Sequence, residues 1–238
     1  MNFEGKNILV VGGSTGIGLS LVKLLQQHQA NVYVVSRSSS DEWPSSVQYL
    51  QADVTGNLDA FADFLPAELH GIVYSVGSIN LKPFSRLTEE DFLNDYKINV
   101  LGAVRTIQQS VKQLKNAGAS SVVLISSVAA RTGMPYHTSI AAAKAAVEGF
   151  AVSLAAEFAA QQIRVNVVAP SLTDTPLSQN LLSTDEKREA SAKRHPLGKI
   201  GKPADISSLI AFLLSEQSAW ITGQVIGVDG GLGKLKTS

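Results

Sequence analysis

The sequence predicts a doubly wound α/β fold, a single domain built on about seven parallel strands with helices on both faces. Three observations carry that expectation: short β-branched runs recur along the chain, most are apolar throughout rather than alternating, and segments with helical spacing separate them. A strand covered on both faces has no polar side to show. Continuous apolar runs therefore indicate a buried parallel sheet.

The strand runs fall at residues 7–11, 31–35, 71–76, 121–125, 164–168 and 224–228, with a weaker seventh at 47–52, VQYLQA. Helical spacing marks residues 17–27, 88–114, 140–160 and 203–214. Alternation with short joints calls for right-handed crossovers, and these put helices on both sides of the sheet. Thr88, followed directly by Glu89, Glu90 and Asp91, predicts a helix start there. Its hydroxyl can take an orphan amide, and the carboxylates complement the positive end of the helix. No Pro/Ser-rich linker divides the chain. The polar stretch at 171–202, which carries Pro176, Pro196, Gly198 and Gly201, predicts a substrate-side flap within the same domain.

Composition narrows the function. With 238 residues, 45% hydrophobic and 17% charged, the chain can bury a sizeable core as one domain. Twenty basic residues balance twenty acidic ones. No broad field then gathers nucleic acid or an anionic membrane, which leaves a small-molecule substrate as the expected partner. The absence of cysteine excludes disulfides, thiolate metal sites and a cysteine nucleophile, and no metal is expected. The first apolar run extends only from Ile8 to Val11. That is far short of the roughly 20 residues of a membrane span and unlike a leader, so the expected location is cytoplasmic.

The first strand runs directly into Gly12, Gly13, Ser14, Thr15, Gly16, Ile17 and Gly18, then into an amphipathic helix. Glycines there let the backbone turn sharply and approach a pyrophosphate, which the free amides of a helix N-terminus receive. The spacing is not GxxxxGK[ST], so a Walker-type ATP site is not predicted. The second strand ends at Val35, followed by Ser36, Arg37 and Ser38, and no carboxylate occurs before Asp41. An acid at this strand end would accept hydrogen bonds from the ribose of NAD, whereas an arginine accommodates the extra phosphate of NADP. NADP is therefore expected over NAD. Arg37 is the phosphate partner, with Ser36 or Ser38 as supporting donors.

With these residues in view, essentially the whole chain resembles the short-chain dehydrogenase/reductase (SDR) family, whose domain is a Rossmann fold. VGGSTGIG is similar to the family's TGxxxGxG turn, with Val11 for the usual threonine. The resemblance implies roles for several residues. Asp53, followed by Val54 in ADV, would sit beside the adenine, and Asn99, in KINV, would help hold a proton-relay water. Ser127, in LISSVAA, would orient a substrate carbonyl. Lys144 would bind the nicotinamide ribose, and Gly77, Pro170, Thr173 and Thr175 would complete the cofactor site. The segment SAWITGQVIGVDGG looks like the closing strand and glycine turn. Pairing of the two long helices in a homodimer or homotetramer is implied by the same resemblance.

Three departures stand out. The family's NNAG is Tyr74, Ser75, Val76 and Gly77, and the usual PG is Pro170 followed by Ser171. Ile140 stands four residues before Lys144, and thirteen after Ser127, where the resemblance expects the tyrosine of YxxxK. That tyrosine, with a free pKa near 10, is tuned by the lysine and the positive nicotinamide, and loss of a general acid typically costs about 10² to 10⁴ in rate. Three explanations follow. Tyr136 or His137, held by Pro135 in a loop just before the helix, could donate the proton instead. An enoyl or dienoyl substrate could need no side-chain acid, with water or Lys144 protonating carbon. Family members that reduce dienoyl thioesters also lack the tyrosine but carry a substitute near the fifth strand, and SSVAARTGM contains none. Finally, the chain could bind NADP(H) without turnover, as a sensor or partner subunit. The leading expectation is an NADP-dependent oxidoreductase for a small carbonyl or alcohol, with an atypical active site.

Overall fold

The structure, a computed structural model, describes residues 1–236. The apolar runs form β1 (Asn7–Val11), β2 (Asn31–Ser36), β3 (Gln48–Gln51), β4 (Gly71–Tyr74), β5 (Ser120–Ile125), β6 (Ile163–Pro170) and β7 (Val225–Val228). They make one sheet in the order β3-β2-β1-β4-β5-β6-β7, and every neighbouring pair is parallel. The weak seventh run is the edge strand β3, whose half-exposed QYLQ explains its faint apolar signal. The chain order reverses between β1 and β4, which opens a crevice at the C-terminal ends of these strands.

The helices are α1 (Gly16–Gln27), α2 (Phe61–Phe64), α3 (Glu89–Tyr96), α4 (Gly102–Asn116), α5 (Thr138–Phe158), α6 (Asp185–Lys193) and α7 (Pro203–Leu214). Alternate residues of β1 serve opposite faces. Ile8 and Val10 pack with Leu21, Leu25 and Ile210 of α1 and α7, while Leu9 and Val11 pack with Ile107, Val147 and Ala151 of α4 and α5. Both faces are thus dry, as continuous apolar strands require. α5 is long and apolar enough to cross a membrane by composition. Its Ile140, Val147, Ala151 and Phe158 are instead buried in the domain.

Thr88 caps α3 as expected: its amide donates to Asp91 Oδ2 at 3.0 Å, and the Asp91 amide donates to Thr88 Oγ1 at 3.3 Å. The helical stretch 88–114 is not continuous, however. A π-helical turn, Lys97–Leu101, separates α3 from α4. The wider turn presents the Ile98 carbonyl to the hydroxyl of Tyr74, which donates to it at 2.5 Å. The polar stretch 171–202 is also more ordered than a plain connection. It contains a 3-10 turn, Pro176–Leu182, and then α6, where Thr184 Oγ1 accepts from the Lys187 amide at 3.3 Å. Leu182 is buried beneath it, and Arg188 pairs with Asp174 at 2.7 Å.

Candidate active site

Two glycines set the entry to the site. Gly12 has φ of +85°, a left-handed conformation that disfavours side chains, and a Cβ there would lie 3.0 Å from Val76. At Gly18 a Cβ would stand 2.1 Å from the Gly12 carbonyl oxygen, so α1 can close onto the end of β1 only without a side chain at this position. Thr15 precedes α1 in an extended conformation and makes no side-chain cap, which leaves the first-turn amides open for an anion.

Gly12 and Thr15 border a cleft of about 1020 Å³ across the C-terminal ends of the strands. It brings together Gly12, Ser14, Thr15, Gly16, Ile17, Ser36, Arg37, Asp53, Val54, Gly77, Ser127, Lys144, Pro170, Thr173 and Thr175 from the sequence expectation. Gly18 packs behind the turn, and Asn99 is buried behind Gly77, rather than lining the cleft. Of the two substitute acids considered, His137 lines it and Tyr136 does not. Tyr136 is 58% exposed with φ of +69°, and its carbonyl accepts from the Lys82 amide at 3.2 Å. The local turn directs its phenol to solvent.

At the β2 end, Ser36 Oγ donates to the Ser38 carbonyl at 2.7 Å and pins the turn that carries Arg37. Asp53 accepts from the Thr55 amide at 2.8 Å and from the Thr55 hydroxyl at 2.7 Å. These two bonds, with a smaller contribution from Arg37, hold its carboxyl below the usual carboxylate range.

At the β5 end, Lys144 is buried and its Nζ donates to the Ile125 carbonyl at 2.8 Å. Burial lowers its pKa to about 8, and the negative charge of Asp95 works in the opposite direction. Asn99 Nδ2 donates to the Asp95 carbonyl at 2.8 Å and to Ser78 Oγ at 3.0 Å, while its buried Oδ1 has no protein partner. A Cβ on Gly77 would lie 3.4 Å from that oxygen and 3.5 Å from Lys144 Nζ. Its absence leaves a polar hollow between the two. Ser127 Oγ accepts from the Ala129 amide at 3.2 Å, a contact that leaves its proton free to be donated. Ile140 is buried one turn before Lys144 and lines the same cleft, so that face of α5 offers no polar atom at position 140. The Nδ1–H of His137 donates to the Pro135 carbonyl at 2.7 Å; in the neutral ring Nε2 is then an acceptor.

Two features went unread in the sequence. Asp95 is buried, and both carboxylate oxygens are engaged, by the hydroxyls of Ser78 and Ser139 at 2.6 Å each. Its spacing of four from Asn99 on one helical stretch was the available signal. Ser171 donates to His195 Nε2 at 2.8 Å, while His195 Nδ1 donates to the Ser191 carbonyl at 2.8 Å, and this ties the flap to the end of β6. No local pattern links residues 171 and 195.

A family profile described as Enoyl-(Acyl carrier protein) reductase matches residues 11–233. A short chain dehydrogenase family protein from Francisella tularensis superposes with a TM-score of 0.91 at 29% identity, covering 97% of this chain and 99% of the other. The chain belongs to the short-chain dehydrogenase/reductase family. Among other relatives of this SDR chain, the 3-oxoacyl-(acyl-carrier-protein) reductase FabG of Thermotoga maritima is 33% identical over 248 residues, covering 98% of this chain and 99% of the relative. A structure described as ElxO with NADP bound matches at a TM-score of 0.86 and 27% identity, over 95% of this chain and 98% of that one.

Proposed function

We propose that this SDR protein is an NADP(H)-dependent oxidoreductase that interconverts a small carbonyl and its alcohol, in the cytoplasm, as a homodimer or homotetramer paired across α4 and α5. One observation carries the reading: a single cleft joins the open amides of α1 and Arg37 at one end to Lys144 and Ser127 at the other, with the buried Asn99 behind Gly77 beside Lys144. The residues fit a nicotinamide dinucleotide. The bare Gly12 gives a pyrophosphate room to approach, Arg37 can meet a 2′-phosphate, and Asp53 and Val54 border the adenosine end. Lys144, Gly77, Pro170, Thr173 and Thr175 border the other end, and the relative described with NADP bound supports the choice of cofactor. The cofactor, when bound, supplies or accepts the hydride.

The chain's own part is to hold the substrate oxygen and manage its charge. Ser127 Oγ donates to that oxygen, and the buried Lys144 ammonium stabilises the negative charge that develops on it, in a setting where charge interactions are strong. In this reading Ile140 occupies the position of the family's proton-handling tyrosine, so the site is atypical and the proton must come from another group. Polar groups that line that end include Ser127 Oγ, Lys144 Nζ and His137. The test is NADPH consumption with ketones, quinones and enoyl thioesters. Turnover that disappears in Lys144→Met while NADPH binding persists supports the reading; failure of every substrate, with carbonyl reduction gained in Ile140→Tyr, overturns it.

A further inference from the structure

Asp95 and Glu148 are the buried carboxylates among the described residues. Glu148 is neutralised by Arg131, whose Nε donates to it at 2.5 Å. Asp95 touches no cation. Ser78 and Ser139 satisfy its hydrogen bonds from α3's two neighbours, yet hydroxyls do not cancel a charge, and a buried ion without a counter-charge is expensive. Lys144 has the complementary problem: it is 6% exposed, its protein acceptor is the neutral Ile125 carbonyl, and no carboxylate among the described residues lies within ion-pair distance.

The two charges are linked by one layer of polar groups. Asn99 bonds both the Asp95 carbonyl and Ser78 Oγ, and its unpartnered Oδ1 faces the same hollow over Gly77 as Lys144 Nζ. Lys97 after α3 and Lys187 and Arg194 of the flap line this end of the cleft. Of the carboxylates on the surrounding elements, Glu148 of α5 is paired with Arg131, Asp91 of α3 with Lys82, and Asp174 of the flap with Arg188. Asp53, with Arg37, lies at the far β2–β3 end. Asp95 is therefore the buried carboxylate beside this end of the cleft that has no cation partner among the described residues.

We infer that Asp95 is a positioning residue of this site: its fixed negative charge keeps the buried Lys144 protonated, and the Lys144 ammonium is the group that protonates the substrate oxygen. The inference rests on the oxidoreductase reading above. In the reductive direction, hydride addition to the carbonyl carbon moves the π-electron pair onto oxygen. One N–H bond of Lys144 breaks as an O–H bond forms, and the neutral amine that remains regains its proton from solvent. Burial lowers the affinity of Lys144 for that proton and Asp95 partly restores it, so the group is charged yet poised to give the proton up.

The experiment is a pH titration of full-length protein carrying 13Cε-labelled lysine, followed by NMR, with the Lys144 signal identified by its loss in Lys144→Met. Asp95→Asn should lower the Lys144 midpoint by about one pH unit or more. Ser139→Ala, which removes a hydrogen bond and keeps the charge, should move it by less than half as much. An unchanged midpoint in Asp95→Asn overturns the inference, as does an equal shift in Ser139→Ala, which would mean packing rather than charge. If Asp95→Asn does not fold, the Asp95 carboxyl is titrated in Lys144→Met. Coupling is reciprocal, so its midpoint must rise by a similar amount, and no rise overturns the inference. None of these measurements needs turnover. A protein that shows the coupling but reduces no substrate would refute the oxidoreductase reading, and with it the proton transfer to substrate, while the Asp95–Lys144 coupling would stand.

Discussion

Tyr74 and Gly102 fill complementary space: a Cβ on Gly102 would stand 2.0 Å from the Tyr74 hydroxyl oxygen. That hydroxyl, kept neutral because burial raises its pKa, donates to Ile98 within the π-helical turn that carries Asn99. Such turns are frequent at functional sites. Here a side chain from β4, where the family's asparagines would stand, braces the helix that holds Asn99 over Gly77.

Gly102→Ala overpacks this contact and should destabilise the fold by about 1–3 kcal/mol. Tyr74→Phe leaves the Ile98 carbonyl without its donor, at a cost of about 1–3 kcal/mol. The double variant should lose less than the sum of the two, because removing the hydroxyl relieves part of the clash. Urea denaturation measures all three, and strict additivity would mean that the two residues do not share this contact.

The glycine turn gives a sharper contrast. Gly18→Ala puts a Cβ against the Gly12 carbonyl, and NADPH binding, followed by fluorescence, should fall at least about tenfold if the turn must keep its shape to cradle phosphate. Gly149→Ala in α5 meets nothing within 4 Å and should stabilise by about 0.5–1 kcal/mol with binding unchanged. Equal effects at the two positions would detach the turn from cofactor binding.

The proposed preference for NADP over NAD rests on Arg37. Its replacement by alanine removes a charge-assisted contact worth roughly 1.5–3 kcal/mol, so NADPH affinity should fall about tenfold or more while NADH affinity stays the same. Isothermal titration with both cofactors checks this. An unchanged ratio would assign the 2′-phosphate to another group.

Lys144 also makes stability depend on pH. Its folded pKa, about 8, lies below the ordinary 10.5. Between these values the unfolded chain holds a proton that the folded chain has released, so stability rises with pH through this window and is flat below it. Relative to Lys144→Met, the natural chain should gain on the order of 2 kcal/mol between pH 8 and 9.5. A constant difference across that range would mean that Lys144 titrates as an exposed lysine.

Much of the architecture was legible in the residues. Strands such as SSVVLI are apolar because both faces are covered, and VGGSTGIG encodes its own turn. The break between α3 and α4 was not legible, since KINVL fits helical spacing and only the distant Tyr74 draws the Ile98 carbonyl outward. Asp95 was hidden for a similar reason. Its partners Ser78 and Ser139 lie 17 and 44 residues away, so only the folded chain assembles the cluster. Tyr136 and His137 could not be separated by sequence either; the left-handed backbone at Tyr136 turns one outward while the other faces the cleft.

The most direct measurement of the central claim is NADPH oxidation by the purified natural chain across ketones, quinones and enoyl thioesters, run beside Lys144→Met and Ile140→Tyr. The account predicts turnover of at least one carbonyl substrate by the natural chain and its loss in Lys144→Met with NADPH still bound. No turnover by the natural chain on any substrate, together with carbonyl reduction gained in Ile140→Tyr, would contradict it.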